Sequence, residues 1–519
     1  MQDPRITEPQ STRICHFCLQ HVLSGQSSGP HHNTLGKIKE AVADKCIFCQ
    51  AIYKGVGNMI EDVMPLYDWN VRPAGRSSEG LSTIAIVFRP HTHSGASKIP
   101  KGIRTFYMYP EKDLGDILSV SSATTSTDPY HSNGSQISNW LQTCNFTHAG
   151  CRKPVPGDFV PTRLLELQNN NHGFVKLVLR GEDYDQGPYC TLSHTWGPPP
   201  TTFLNTTNEN LETHRKQGIE ISSLPNNFRH AIDVARFIGM RYIWIDSLCI
   251  IQKDGGADFA FEGQLMHKVY RYSYCNIAAA DSADSSGGLF RARDPLDIVP
   301  PRFQSNSSSI FGKQTWRVIS EDLWDTELLG TSIYKRGWVF QERMLSPRLL
   351  HFARDQIFWD CGTISACETV PSNIPYPVDR IATTDRHWRG RLQHRLRDEQ
   401  APVVGANDDS IESFWQTAVF NYTSCNLTMQ KDKTVAIWSI AKLVRDMTGE
   451  KYACGFWSRK LEEQLAWRVA DVGQSTRLAE LQWWNPSWSW SSVKATILAQ
   501  DRVVPWRYHT VKDHQGQTI

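Results

Sequence analysis

The chain has 519 residues, enough to build a large core and two to four domains. Its composition, 40% hydrophobic and 21% charged, is that of a globular protein and excludes a chain that is disordered throughout. A net charge of +2 gives no electrostatic reason to expect binding to nucleic acid or to a membrane surface.

The N-terminal residues lack the basic, apolar and small-residue pattern of a secretory signal. No apolar run approaches the roughly 20 residues that span a bilayer. Thirteen cysteines without an export signal favour reduced thiols or metal ligands over a disulfide framework. The sequence therefore predicts a cytoplasmic protein with no membrane span.

Two Cys-x-x-Cys pairs lie near the N-terminus. Cys15 and Cys18 form the first pair, and Cys46 and Cys49 form the second. Four thiolates at this spacing suit a tetrahedral structural zinc ion. The alternative is that both pairs are reduced and hold no metal.

A second group combines Cys144, His148 and Cys151 in one short segment. Their spacing brings all three side chains onto one face of a helix. Three ligands make an incomplete site, so packing is the favoured interpretation of this group.

Two short β-prone runs follow the cysteine pairs. Residues 83–88 and 105–109 are rich in β-branched and aromatic side chains, and Gly, Pro and His dominate the stretch between them. This pattern predicts a β-hairpin with a long tip. Residues 119–136 are dominated by Ser and Thr and predict a surface loop or linker.

The middle of the chain alternates between strand and helix. Residues 189–196, 242–245 and 275–280 read as strands. The first helix starts at Pro225 and stops at Gly239, and the second spans about 258–272. This order predicts a parallel sheet covered on both faces. Two further apolar stripes, at 411–422 and 437–444, predict helices in the last third.

Four blocks in this order resemble the signature of the fungal heterokaryon incompatibility (HET) domain proteins. They are Leu192-Ser193-His194-Thr195-Trp196-Gly197; Leu224-Pro225 leading into Arg241-Tyr242-Ile243-Trp244-Ile245-Asp246-Ser247-Leu248-Cys249-Ile250-Ile251-Gln252; Glu262 with Met266 and Tyr270 running into Gly287-Gly288-Leu289-Phe290; and Arg336-Gly337-Trp338-Val339-Phe340-Gln341-Glu342-Arg343. The likeness extends over roughly residues 138–493.

The resemblance implies an α/β fold with a parallel-sheet HET core, similar by analogy to Toll/interleukin-receptor (TIR) domains. The expected regions are an N-terminal β-containing, zinc-binding part at 1–118, a linker at 119–137, the HET core at 138–360, and a Trp-rich helical extension at 361–519. The implied function is non-self recognition and cell-death signalling. Because some TIR domains cleave NAD, the analogy makes NAD a candidate substrate.

Ligands of open parallel sheets bind beyond the carboxyl ends of the strands. The candidates at these ends are His194 and Asp246 as catalytic residues, and Ser193, Trp196, Ser247 and Asp281 as substrate-binding residues. The structural alternative is that Ser193, Asp246 and Ser247 cap helices and close turns.

Glu262 is a third catalytic candidate. It shares the apolar face of its helix with Leu265 and Met266, so its pKa is expected to be raised, and it would stabilise the cationic state as nicotinamide leaves. The alternative is an internal ion pair with Arg336 or Arg343. Arg343 is itself a substrate-binding candidate.

A nucleophilic triad of Cys249, His194 and Asp246 can also be drawn. Cys249 lies between Leu248 and Ile250 in an apolar run, where a buried and inert thiol is the usual outcome. The triad is therefore disfavoured.

Three functions stay open at this point. They are a cell-death effector that cleaves a nucleotide, a non-catalytic signalling module, and a HET-like enzyme of secondary-metabolite biosynthesis. A small-molecule or nucleotide ligand is the expected partner, with a second copy of the chain or a signalling protein as further candidates and no nucleic acid.

Overall fold

The structure is a computed structural model that describes residues 13–56, 67–76, 82–91, 102–119, 122–131, 134–151, 159–168, 172–184, 186–200, 203–306, 308–393, 411–427, 433–459, 461–478, 486–499 and 515. The chain divides into two compact units, each assembled from three segments. The first takes in 1–125, 293–327 and 366–382, and the second takes in 126–292, 328–365 and 383–519. Within the described ranges, no helix has both the length and the apolar character needed to cross a membrane.

The described strands, in chain order, are β1 (Ser28–His31), β2 (Tyr67–Arg76), β3 (Ser82–Pro90), β4 (Arg104–Pro110), β5 (Arg163–Glu166), β6 (Phe174–Leu179), β7 (Tyr189–Ser193), β8 (Ile219–Glu220), β9 (Tyr242–Trp244), β10 (Cys275–Ala278), β11 (Arg302–Gln304), β12 (Thr315–Ser320), β13 (Arg348–Phe352), β14 (Ile357–Cys361), β15 (Ser365–Cys367), β16 (Tyr452–Ala453), β17 (Phe456–Trp457), β18 (Arg468–Val469), β19 (Thr476–Arg477), β20 (Val493–Lys494) and β21 (Ile497–Leu498).

The described α-helices are α1 (Leu35–Ala43), α2 (Ile47–Val56), α3 (Ser135–Phe146), α4 (Leu211–Lys216), α5 (Asn226–Phe237), α6 (Asp246–Cys249), α7 (Ala257–Arg271), α8 (Gly337–Leu345), α9 (Arg380–Gln393), α10 (Ile411–Thr423), α11 (Lys433–Thr448) and α12 (Leu461–Gln464).

The first unit is built on an antiparallel sheet, with strand order β1-β2-β3-β4-β12-β11 among the described residues. The hairpin predicted from the two β-prone runs is confirmed, since β3 pairs with β4 in antiparallel register. The core of this unit includes Phe88 and Phe106 of the hairpin, whose rings contact Phe48 of α2. The long tip predicted for the hairpin falls largely on residues 92–101, which lie outside the described residues.

A mixed sheet forms the centre of the second unit, with order β15-β14-β13-β10-β7-β9-β5-β6-β8 among the described strands. Its middle strands β9, β7, β10 and β13 run parallel. On the two sides, β5 pairs antiparallel with β9, and β14 pairs antiparallel with β13. The prediction of a parallel sheet is therefore right for the centre and wrong for the flanks. The short connection at 353–356 forces β13 and β14 into a hairpin, because parallel neighbours need a longer crossover.

The predicted alternation of strands and helices is confirmed in this unit. α5 starts after Pro225, buries Phe228 and Ile232, and ends at Phe237, with Ile238 as its C-cap. Gly239 follows with φ +79°, a left-handed conformation that suits glycine after a helix end. β9 is buried along its whole length, as expected of a central strand covered on both faces.

The last third of the chain contains the two predicted helices, α10 and α11. Short antiparallel strand pairs accompany them, namely β16 with β17, β18 with β21, and β19 with β20. α10 and α11 both contact α8, and α8 contacts α7. Helices α7, α10 and α11 therefore pack around α8, the helix that carries Glu342. The region boundaries expected from the sequence stay predictions.

Candidate functional site

The carboxyl ends of β7 and β9 lie side by side because these strands are parallel neighbours. Ser193 ends β7 and is followed by His194, while Trp244 ends β9 and Asp246 opens α6 two residues later. The sheet topology thus brings together side chains that are 52 residues apart in sequence.

Asp246 is the centre of this group. Its Oδ1 lies 2.9 Å from Nε2 of His194 and accepts a hydrogen bond of 2.7 Å from the N–H of Ser247. Its Oδ2 accepts a hydrogen bond of 2.9 Å from the indole Nε1 of Trp196. Both carboxylate oxygens are therefore held in fixed directions by donors from two strand ends.

The pKa of Asp246 lies below its ordinary value. Burial by itself raises this pKa, but the interactions with His194, Trp196 and Arg336 together outweigh it. The carboxyl group is consequently anionic at neutral pH. Its side chain is 27% exposed, so the negative charge remains accessible from solvent.

His194 is buried behind Asp246. Its ring contacts Phe228 at a centroid distance of 4.9 Å, and Arg336 donates a hydrogen bond to its carbonyl oxygen. The ring Nδ1 is buried and has no hydrogen-bond partner among the described residues. With Nε2 directed at the carboxylate and the side chain only 1% exposed, His194 orients Asp246 and is not itself accessible to a ligand.

A second carboxyl group, that of Glu342 on α8, adjoins this arrangement. Ser193 donates a hydrogen bond to its Oε2, and the Tyr270 hydroxyl is also bonded to it. Burial raises the pKa of Glu342 to about 7, although Ser193, Arg336 and Tyr270 oppose the rise. The nearby charge of Asp246 contributes to it. Two neighbouring carboxyl groups therefore have pKa values displaced in opposite directions.

The third predicted catalytic residue, Glu262, is 3% exposed on α7. Its Oε1 lies 3.6 Å from a guanidinium nitrogen of Arg163, which also binds Asp258 through two hydrogen bonds of 2.9 and 2.8 Å. Burial raises the pKa of Glu262, as the sequence predicted. The observed ion pair is with Arg163, whereas the alternative drawn from the sequence named Arg336 or Arg343.

The remaining predicted binding residues occupy different surroundings. Ser247 is fully buried, and its hydroxyl oxygen has no partner among the described residues. Asp281 bonds through its backbone, donating to Phe352 and accepting from Arg291. Arg343 forms a buried ion pair with Asp385.

Cys249 is buried, and burial raises the pKa of its thiol to about 12. A thiol with this pKa is almost entirely protonated at neutral pH, and the thiolate is the reactive form. The geometry therefore agrees with an inert packing role for Cys249 and gives no support to a cysteine nucleophile.

The predicted cysteine cluster of the first unit is brought together by the fold. Sγ of Cys18 lies 3.9 Å from the Sγ atoms of both Cys46 and Cys49, and Cys15 lies 3.9 Å from Cys49. Tetrahedral zinc with bonds of about 2.3 Å to sulfur separates two sulfurs by about 3.8 Å, so the spacing fits this metal.

Two histidines also enter this cluster. Nε2 of His32 lies 3.4 Å from Sγ of Cys49, and Nε2 of His31 lies 3.6 Å from Sγ of Cys18. Cys15, Cys18, His32 and Cys49 form one set that could hold a metal ion. The sequence interpretation missed the histidines, although the adjacent pair between the two Cys-x-x-Cys pairs was a signal for them.

A cavity of about 300 Å³ lies elsewhere in the second unit. Tyr422, Lys433, Asp471 and Lys494 are among its lining residues. Lys433 is buried and donates a 2.5 Å hydrogen bond to a backbone carbonyl, and burial lowers its pKa to about 8. The predicted site residues do not line this cavity, so it is a feature separate from the strand ends.

Comparison with protein-family models identifies the stretch from β7 into α8 as similar to a known family. The family model described as "Heterokaryon incompatibility protein (HET)" matches residues 189–342. The match begins at the first residue of β7 and ends at Glu342, and it includes His194, Asp246 and Glu262. No curated protein and no solved structure matches the chain.

Proposed function

The chain carries a heterokaryon incompatibility (HET) domain at residues 189–342, and we propose that this domain is the effector of an incompatibility response and acts by cleaving the N-glycosidic bond of NAD or a related nucleotide. Asp246 is the catalytic carboxylate of this proposal. His194 and Trp196 are the residues that position it.

The proposal rests on the charge, the exposure and the position of the Asp246 carboxylate. This carboxylate is anionic, partly exposed, and fixed at the carboxyl edge of the parallel strands, where ligands of open sheets bind. A carboxylate held in place before the reaction stabilises positive charge that develops next to it, without further reorganisation.

Cleavage of NAD develops such a charge. The bond between C1′ of the ribose and the nicotinamide nitrogen breaks, and its electron pair leaves with nicotinamide. The ribosyl group becomes an oxocarbenium-like cation, which water captures with loss of a proton to give ADP-ribose. In the proposed mechanism Asp246 faces this cation, and the aromatic surface of Trp196 supports the flat nicotinamide ring.

Glu342 contributes by staying neutral below about pH 7. Two adjacent carboxylates repel each other, so a protonated Glu342 leaves Asp246 as the charged member of the pair. Glu262 carries no catalytic role in this scheme, because Arg163 and Asp258 give it a structural setting.

The test measures nicotinamide and ADP-ribose released from NAD by the purified full chain. Asp246→Asn removes the charge but retains the shape, and we expect turnover to fall by about 100- to 1000-fold. Asp446→Asn is the matched control, since it changes an exposed aspartate on α11 and should leave turnover unchanged. Glu262→Gln is expected to retain turnover if the variant folds.

Two outcomes contradict the proposal. A folded Asp246→Asn protein with wild-type turnover removes Asp246 from the mechanism. A wild-type chain that leaves NAD, NADP and related nucleotides intact contradicts the enzymatic function and favours a non-catalytic signalling module.

A further inference from the structure

A second cluster of metal-ligating side chains lies in the second unit. It consists of Cys144, His148, Cys151 and Cys361, whose ligand atoms all lie within 4.8 Å of one another. The spacing in the sequence identified only three of these residues, Cys144, His148 and Cys151. The fourth, Cys361, is 213 residues away from His148 and reaches the cluster through the fold.

The four side chains come from two regions of the chain, residues 144–151 and the end of β14. Cys144 lies in the last turn of α3, and Cys151 ends the short helical turn at Ala149–Cys151. Cys361 is the last residue of β14. Cys144 and Cys361 are fully buried and His148 is 8% exposed, so water has little access to three of the four candidate ligands.

The spacing suits a tetrahedral ion. Nδ1 of His148 lies 3.4 Å from Sγ of Cys361. Zinc bonds of about 2.3 Å to sulfur and about 2.0 Å to nitrogen place such a pair about 3.5 Å apart. Three cysteines and one histidine are also a common ligand set of structural zinc sites.

Backbone groups are directed at one of the sulfurs. The N–H groups of Thr363 and Ile364 both lie 3.4 Å from Sγ of Cys361 as hydrogen-bond donors. Two N–H donors favour the thiolate over the thiol, and the thiolate is the form that binds a metal ion. The turn after β14 therefore directs two backbone donors at the sulfur that a metal ion would bind.

The charge at the site also balances. One divalent ion, three thiolates and a neutral histidine carry a net charge of −1. The guanidinium of Arg348 supplies the missing positive charge, since its Nε lies 3.2 Å from Sγ of Cys144. The same guanidinium donates hydrogen bonds to the Asn145 side chain and to the Cys151 carbonyl, so it also fixes the ligand-bearing segment.

We propose that Cys144, His148, Cys151 and Cys361 bind one structural Zn²⁺ ion that joins the segment preceding the HET domain to the β13–β14 hairpin of the mixed sheet. The ion links residues more than 200 positions apart in the chain. Because only the folded chain brings these ligands together, the free energy of metal binding stabilises the folded unit. The site is independent of the nucleotide chemistry proposed above.

The zinc content of the purified chain tests the proposed site directly. The full chain is loaded with Zn²⁺ under reducing conditions, desalted and analysed by elemental analysis beside Cys361→Ser and Cys190→Ser. Cys190 is an equally buried cysteine of β7 outside the cluster, so it controls for the loss of a core thiol. We expect Cys361→Ser to hold one zinc ion per chain fewer than wild type and Cys190→Ser to hold as many.

A variant that lacks the N-terminal ligands separates the two clusters. The double variant Cys15→Ser/Cys18→Ser disrupts the cluster of the first unit, and Co²⁺ is added to it in place of zinc. The expected result is absorption from thiolate-to-cobalt charge transfer and tetrahedral Co²⁺ at one ion per chain, lost on further substitution of Cys361 by Ser. Equal zinc contents of folded wild type and Cys361→Ser overturn the proposal.

A measurement on the unmodified chain covers the case in which Cys361→Ser does not fold. Cys151 is only partly buried, so an alkylating reagent reaches its sulfur unless a metal holds it. We expect protection of Cys151 in zinc-loaded protein and labelling after treatment with a chelator. Labelling at the same rate in both states refutes the site, and a Cys144–Cys361 or Cys151–Cys361 disulfide found under reducing conditions refutes it as well.

Discussion

Glu342→Gln is expected to stabilise the protein at neutral and alkaline pH. The folded state holds the pKa of Glu342 at about 7, against an ordinary value of 4.5, because burial disfavours the charged form. A folded-state pKa above the unfolded value means that the folded chain binds more protons between these two pH values. Wild-type stability therefore falls as pH rises from about 4.5 to about 7 on account of this group.

The magnitude follows from the shift. Each pKa unit corresponds to about 1.4 kcal/mol, so a displacement from 4.5 to about 7 costs the folded state about 3 kcal/mol once the carboxyl is ionised. Glutamine has nearly the same shape and stays neutral at every pH, and it can still accept the hydrogen bond from Ser193. The variant thus lacks the pH-dependent cost.

The assay is denaturant unfolding of wild type and Glu342→Gln between pH 4.5 and 8. The difference in unfolding free energy between the two proteins should grow by about 3 kcal/mol across this range, in favour of the variant. Glu209→Gln is the control, because it removes an exposed carboxyl group from the same unit. A difference for Glu342→Gln that stays flat between pH 4.5 and 8 would refute the reasoning.

Three further results are expected. Arg163→Met should lower the unfolding free energy by about 3 kcal/mol, because it leaves the partly buried carboxyl group of Asp258 and the buried one of Glu262 without their cation. Denaturant unfolding at pH 7 measures this, and a loss under about 1 kcal/mol would contradict it. Cys249→Ala should change NAD turnover less than about twofold, since a thiol with a pKa of about 12 is not a nucleophile at neutral pH. Chelation of zinc should lower the thermal unfolding midpoint of wild type and have a smaller effect in Cys18→Ser, as scanning calorimetry would reveal.

The central strands and helices of the second unit could be predicted because their signals are local. Apolar runs such as Tyr242–Trp244 predict buried strands, and Gly239 marks the end of the helix before them. The hairpin of β3 and β4 was likewise encoded in two neighbouring β-prone runs. In each case the residues that decide the structure lie within a short stretch of sequence.

The mixed character of the sheet could not be read in the same way. β5 precedes β7 in the chain but pairs with β9, and it runs antiparallel to that strand. Nothing within Arg163–Glu166 specifies its neighbour or its direction, because both depend on how the whole sheet closes. Pairing between distant strands is set by the combined packing of the unit, which a single segment does not carry.

The candidate sites likewise divide into residues with a local sequence signal and residues whose partners are distant in the chain. His194 and Asp246 were expected together because each lies at the carboxyl end of a predicted parallel strand, and their side chains do lie 2.9 Å apart. Glu342 and Cys361 were missed as site residues because their partners lie 149 and 213 positions away in the sequence. Glu342 lies on α8, and its carboxyl group accepts a hydrogen bond from Ser193 at the end of β7.

The opposite displacement of two neighbouring pKa values argues for a role beyond packing. Asp246 receives hydrogen bonds or charge from four surrounding groups and is stabilised as an anion, whereas Glu342 sits in a more enclosed place and is destabilised as one. If stability alone governed position 342, glutamine would give a more stable folded state at neutral pH, because it has no charge to bury. A carboxyl group kept at a cost of about 3 kcal/mol beside a fixed anion is the kind of strained electrostatic arrangement that marks functional sites. The pH dependence of the unfolding free energy of Glu342→Gln therefore tests whether the folded site holds the pKa of Glu342 above its ordinary value.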